Sequence, residues 1–274
     1  METQEIWGSL SLGLILMGKK ISLIDRIVKW ISDYAIENSI SSLVIGVSGG
    51  IDSAVTSTLC AKTGINTIVL NMPIHQAESQ RNLSKMHIDW LISNFDNVIG
   101  KEFDLTQTFD TFIDADLGGE KITNLARANS RARIRMAALY AISASNNGIV
   151  VGTGNKVEDF GVGFYTKYGD GGVDISPIAD LYKTEIYLIS ESLGIIEEIR
   201  DAPPTDGLWD DGRTDEDQIG ASYEELEWAM EQPESISEDL NDRQKEVMKI
   251  YLKFRNSNLH KMEEIPVFDA ELID

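Results

Sequence analysis

The sequence predicts an α/β fold: a parallel sheet wound on both faces by helices, followed by a helical C-terminal part. Short apolar runs at residues 43–47, 67–70, 97–99 and 149–151 alternate with helical windows near 53–62, 77–94, 106–115 and 122–146. That alternation is the pattern of repeated βαβ units. The first run leads without a break into Ser48-Gly49-Gly50-Ile51-Asp52-Ser53, a strand-to-helix turn of a kind that opens at the carboxyl end of such a sheet. A chain of 274 residues with 42% hydrophobic and 25% charged side chains is of ordinary soluble composition and long enough for one substantial core. One domain is expected over residues 21–274, with residues 1–20 as a disordered N-terminal extension.

The apolar run at residues 6–17 is interrupted by Gly8, Ser9, Ser11 and Gly13 and is too short for a membrane span. Glu2 and Glu5 precede it and Lys19-Lys20 follow it, the reverse of a signal peptide's polarity. A cytoplasmic protein without membrane contact is expected, with Met17 as an alternative start. Ile24, Ile27, Val28, Ile31 and Tyr34 then recur at helical spacing and predict an amphipathic first helix. The single cysteine, Cys60, lies in an apolar helical stretch and is expected to be a buried, inert thiol.

The turn at residues 48–53 has the composition of an anion cradle. Its glycines let the backbone approach a phosphate, and the helix after it presents free N–H groups and the positive end of its dipole. No lysine follows the glycines, so it is not a Walker A loop. A carboxylate at Asp52, beside phosphate, makes chemical sense with a divalent cation between them. The sextet resembles the pyrophosphate (PP) loop of the ATP pyrophosphatases, which adenylate a substrate and release pyrophosphate.

After the fourth apolar run stands Gly152-Thr153-Gly154-Asn155-Lys156-Val157-Glu158-Asp159. Asn155 or Thr153 suits a helix cap with acids in the first turn. Glu158 has a second reading, as a metal carboxylate opposite Asp52. Residues 163–174, rich in glycine and aromatics, are expected to be irregular. Charge is unevenly spread within the formal net of −21: residues 121–183 hold 8 basic and 5 acidic side chains, whereas residues 184–274 hold 8 and 25. A polyanionic substrate is expected to meet the middle segment. Nucleic acid, which needs a broad basic surface, is excluded.

These segments, together with Ser176-Pro177-Ile178, Leu181-Tyr182-Lys183-Thr184-Glu185, Pro204-Thr205-Asp206-Gly207-Leu208-Trp209 and His260-Lys261, resemble the ammonia-using NAD synthases from about residue 22 to the C-terminus. Two departures stand out: Gly154-Asn155-Lys156 where some members carry Asp-His, with one extra residue before Phe164-Tyr165-Thr166-Lys167, and Leu125 where an aromatic is frequent. The resemblance implies that Gly46, Val47, Ser48, Gly49, Gly50, Ile51, Asp52 and Ser53 hold the ATP phosphates. It implies that Asp52 and Glu158 bind Mg²⁺, and that Thr153, Lys183 and Thr205 contact ATP or departing pyrophosphate. Arg133, Lys167, Asp174, His260 and Lys261 are implied to contact deamido-NAD. Asn129 and Arg133 share one helix face and Arg131 and Arg135 another, so one pair is free to face ligand and the other to face acids or solvent.

The implied reaction is attack of the nicotinate carboxylate on the α-phosphorus of ATP, followed by displacement of AMP by ammonia. Asp52 and Lys183 are the expected catalytic groups, with Asp170 or alternatively Asp174 accepting a proton from ammonium. The glycine-rich loop 160–173 is expected to close over the intermediate. Glutamine is not an expected donor, since the chain offers no activated thiol; a separate glutaminase is the implied ammonia source. The resemblance also implies a homodimer.

Overall fold

The computed structural model describes residues 23–115, 121–205 and 213–270. The expected N-terminal extension, Met17 and the stretch Asp206 to Trp209 lie outside the described residues. Helix α1 covers residues 23–37 and buries Ile24, Ile27 and Ile31, the stripe its periodicity predicts. Strands β1 (Ser42–Gly46), β2 (Asn66–Asn71), β3 (Val98–Glu102) and β4 (Gly148–Val150) form a sheet in the order β3-β2-β1-β4. All three pairings are parallel. Helices α2 (Ile51–Lys62), α3 (Glu78–Asn94), α4 (Thr106–Asp114) and α5 (Asn124–Ser145) make the crossovers. Helices α6 (Lys183–Leu193), α7 (Glu197–Arg200), α8 (Asp215–Ile219), α9 (Tyr223–Met230) and α10 (Asp242–Met262) form the C-terminal part.

Because side chains alternate along a strand, β1 feeds two separate cores. Leu43 and Ile45 pack with α1, α2, α6 and α7. Val44 joins Ile68, Leu70 and Val150 beneath Met136 and Leu139 of α5. Burial on both faces explains why the strand reads as a continuous apolar run rather than an alternating one. Cys60 belongs to the first of these cores, fully buried, and burial drives its thiol well above the ordinary range. No helix among the described residues is long and apolar enough to cross a membrane.

Strand order reverses between β1 and β4, so the loops after Gly46 and after Val150 open side by side at the carboxyl edge. The second loop runs into a π-helical turn, Val157–Val162, rather than an ordinary helix start. A π turn widens to i→i+5 bonding and so accommodates one more residue than an α turn. The irregular segment begins at Gly163, as expected for residues 163–174, whereas residues 160–162 of the loop expected to close belong to the π-helical turn. Gly163 has φ +66°, and a Cβ there would sit 2.5 Å from the Cβ of Asn258 in α10. A third core joins Val157 and Val162 of this turn to Leu226, Ala229, Val247 and Met248 of α9 and α10. The C-terminal helices thus brace the turn that carries Glu158.

Candidate active site

The turn after β1 is held by its own hydroxyls. Ser48 N–H donates to Ser53 Oγ at 3.2 Å, Gly50 N–H donates to Ser48 Oγ at 3.2 Å, and Ser53 Oγ donates to the Gly50 carbonyl at 2.9 Å. Helix α3 clamps it from outside, with Ser84 Oγ donating to the Val47 carbonyl at 2.7 Å. Gly49, at φ +90°, lies so close that a Cβ would stand 2.9 Å from the Gln80 carbonyl oxygen. A side chain at Gly49 would push the loop off α3. With these contacts made on its outer side, the loop turns its inner side and the start of α2 toward a cavity of about 240 Å³.

Gly46, Val47, Ser48, Gly50, Ile51, Asp52, Ser53, Thr153, Glu158, Asp170, Lys183 and Thr205 all line this cavity. Gly49 does not; its part is the close approach to α3. At the floor, Lys183 opens α6 and is 3% exposed. Its Nζ lies 2.5 Å from Asp52 Oδ2 and 3.5 Å from Glu158 Oε1. It also stands 4.6 Å over the ring of Tyr223, whose hydroxyl donates to Glu158 Oε1 at 2.6 Å. Burial pushes Asp52 above the usual carboxylate range even with the Lys183 ammonium beside it. Burial by itself would lower Lys183, but Asp52 and Glu158 more than reverse that and hold it charged.

The cavity is over-supplied with acids. Burial first, then the charges of Glu158, Asp170 and Asp52, push Asp159 up to about 8. Burial likewise raises Asp170 to about 6, against the Thr166 N–H that donates to its Oδ1 at 3.0 Å. Asp52 Oδ1 is buried without a hydrogen-bond partner. No group of three or more His, Cys, Asp or Glu among the described residues is arranged to hold a metal ion. Two carboxylates, one of them with an unpartnered buried oxygen, are nevertheless the donor set of a hard cation that takes its remaining ligands from phosphate and water.

A carboxyl raised in the folded state stabilises the fold below its unfolded pKa, and that stability is lost as pH rises through the folded value. Asp159→Asn is therefore expected to raise the melting temperature of the ligand-free protein, most near pH 8 and little near pH 4. Equal melting temperatures for the two proteins at pH 8 would contradict this.

The remaining residues singled out from the sequence lie off the cavity, and three of them are linked in a chain. Arg133 Nε donates to the Lys167 carbonyl at 3.2 Å, and Lys167 Nζ donates to the His260 carbonyl at 3.1 Å. Lys261 Nζ reaches the carbonyls of Gly163 at 2.5 Å and Tyr165 at 2.7 Å. Asp174 accepts from Tyr140 Oη at 3.0 Å and from Val150 N–H at 2.7 Å. Of the two alternative proton acceptors, Asp170 faces the cavity and Asp174 ties β4 to α5. Asn129 shares the face of Arg133 as expected, accepting from Thr166 Oγ1 at 3.0 Å. The other arginine pair divides: Arg135 lines the cavity, while Arg131 lies buried with its guanidinium 5.0 Å from the Phe109 ring centre.

Sequence reasoning missed Asp159, Asp215 and Tyr223, which complete the floor. Tyr223 Oη lies 3.3 Å from Asp215 Oδ2. A signal was present: Thr214–Asp217 and Ser222–Glu225 are capping boxes, which mark two helix starts and put Asp215 and Tyr223 in their first turns.

Known proteins resemble this chain in sequence and in fold. The family model described as NAD synthase matches residues 23–265. An NH(3)-dependent NAD(+) synthetase of Alkaliphilus metalliredigens is 36% identical over 226 residues, covering 79% of this chain and 88% of that protein. A solved NMN synthetase from Francisella tularensis superimposes with a TM-score of 0.80 at 29% identity, covering 91% of this chain and 98% of the other. An NH3-dependent NAD synthetase from Campylobacter jejuni gives 0.71 at 26%, covering 91% and 99%. With a family model spanning nearly all the described residues and relatives alike in sequence and fold along most of their length, the chain belongs to the NAD synthase family.

Proposed function

We propose that the protein converts deamido-NAD to NAD⁺ with ATP and ammonia, releasing AMP and pyrophosphate. The observation that carries this is the buried Lys183, paired with Asp52 and Glu158 beneath a glycine turn, in a chain of this family. ATP phosphates are assigned to the turn Gly46–Ser53 and to Thr153, Lys183 and Thr205. The nicotinate carboxylate is already ionised, so the first step needs alignment rather than a base. Loop N–H groups and the Lys183 ammonium stabilise charge building on the α-phosphate and the departing pyrophosphate. Mg²⁺, held by Asp52 and Glu158, would neutralise phosphate charge and orient the leaving group. Asp170, at the cavity wall, takes a proton from ammonium so that neutral ammonia displaces AMP.

Arg133, Lys167, Asp174, His260 and Lys261 are assigned to the acid substrate, at a boundary completed by a second subunit of a cytoplasmic homodimer. Sedimentation is expected to show a dimer at assay concentration; an active monomer would remove that assignment. Ammonia is the direct donor. Its rate is expected to rise with pH as ammonium gives free ammonia, and glutamine is expected to substitute poorly. Glutamate appearing in step with NAD⁺ would overturn the donor assignment.

A second reading comes from the Francisella overlay, whose TM-score exceeds that of the Campylobacter protein: the acid substrate is a nicotinate mononucleotide. Parallel assays with deamido-NAD and nicotinate mononucleotide separate the two. Higher kcat/KM for deamido-NAD is expected, and the reverse would favour the mononucleotide.

A further inference from the structure

The proposed mechanism leaves one wholly buried amide without a task. Asn155 sits between β4 and the π-helical turn and is 0% exposed. Its Oδ1 accepts from the N–H groups of Val157 and Glu158, both at 3.1 Å, and so caps the turn that carries Glu158. Its other end is unused: Nδ2 is buried with no partner, and so is Asp52 Oδ1. The amide is a neighbour of the Asp52 carboxylate, although the two atoms fall short of hydrogen-bond geometry. A buried donor and a buried acceptor left unpaired are each costly unless they meet. Capping alone does not require an amide, since Ser, Thr or Asp supplies the same oxygen.

We propose that Asn155 is a positioning residue that joins the two carboxylates of the site, its Oδ1 fixing the turn of Glu158 and its Nδ2 donating to Asp52 in the nucleotide-loaded protein. Both carboxylates are then presented to one metal–phosphate unit in a fixed relative orientation. The inference rests on the reading of the cavity as the Mg²⁺·ATP site.

The test uses Asn155→Ser, which keeps a capping oxygen and deletes the donor, Asn155→Ala, which deletes both, and Asn155→His, which offers one ring nitrogen to accept and another to donate. Calorimetric titration of Mg²⁺·ATP without the acid substrate reads binding independently of turnover, and melting of the ligand-free proteins reads the cap. Asn155→Ser is expected to melt near the unsubstituted protein yet bind Mg²⁺·ATP about tenfold or more weakly, the worth of one hydrogen bond to a charged group. Asn155→Ala is expected to lose melting temperature as well, and Asn155→His to recover affinity relative to Ser. Unchanged affinity in Asn155→Ser overturns the proposal. So does a loss of melting temperature as large in Ser as in Ala, which would assign the whole effect to the cap. Failure of the unsubstituted protein to bind Mg²⁺·ATP would instead sink the reading of the cavity, and this inference with it.

Discussion

Lys183→Met is expected to lower kcat/KM by roughly 10²–10³-fold, the scale seen when one preorganised group facing developing charge is removed. The same change destabilises the ligand-free protein. Lys183 is 3% exposed and stands between Asp52 at 2.5 Å and Glu158 at 3.5 Å, so methionine leaves two buried carboxylates without their cation. Removing one partner of a buried ion pair costs about 3–5 kcal/mol. The loss is expected to be larger at pH 8 than at pH 5, because burial has already raised Asp52 and protonation relieves the repulsion. Denaturant titration at both pH values, beside steady-state kinetics, checks this. A variant equally stable at pH 8 and still active would show that the ion pair is incidental.

Asp52→Asn and Glu158→Gln are each expected to lose activity by roughly 10²–10³-fold while remaining folded. Asparagine can still accept from Lys183, and glutamine can still accept the 2.6 Å hydrogen bond from Tyr223, so the packing survives the loss of charge. What is lost is the pair of hard oxygens that would share a cation with phosphate. The cap of the π-helical turn is Asn155, not Glu158, and is untouched. Near-normal turnover of Glu158→Gln at saturating Mg²⁺ would show that its carboxylate serves Tyr223 alone.

The sheet, its parallel sense and the two loops at its edge were legible because each is written in a local pattern. Leu43 to Val47 reads as a doubly buried strand, and Ser48 to Ser53 as a turn with a helix behind it. Gly49 shows where such reading ends: its glycine was evident, but its reason, the backbone of α3 within 3 Å of where a Cβ would stand, lies some thirty residues away. The π-helical turn was illegible because six residues are too few for periodicity to separate one helix type from another. Asp159, Asp215 and Tyr223 were missed for a different reason. Asp215 and Tyr223 are drawn to Lys183 and Glu158 by the folding of α8 and α9 against the turn, an approach their capping boxes do not record, whereas Asp159, beside Glu158 in the sequence, reads as a first-turn acid and stands out only through the acids gathered around it in three dimensions. Lys261 illustrates a partial reading: the cation was evident, whereas its hold on the carbonyls of Gly163 and Tyr165 appears only in three dimensions.

The most direct test of adenylation at this cavity is to supply deamido-NAD carrying ¹⁸O in its carboxylate and to follow the label by mass spectrometry during turnover with ATP, Mg²⁺ and ammonia. Attack of that carboxylate on the α-phosphorus, with later release of AMP, delivers one labelled oxygen to AMP and none to pyrophosphate. Label in AMP, in step with NAD⁺ formation, is the expected result. Label in pyrophosphate or in inorganic phosphate, or AMP free of label, would contradict it.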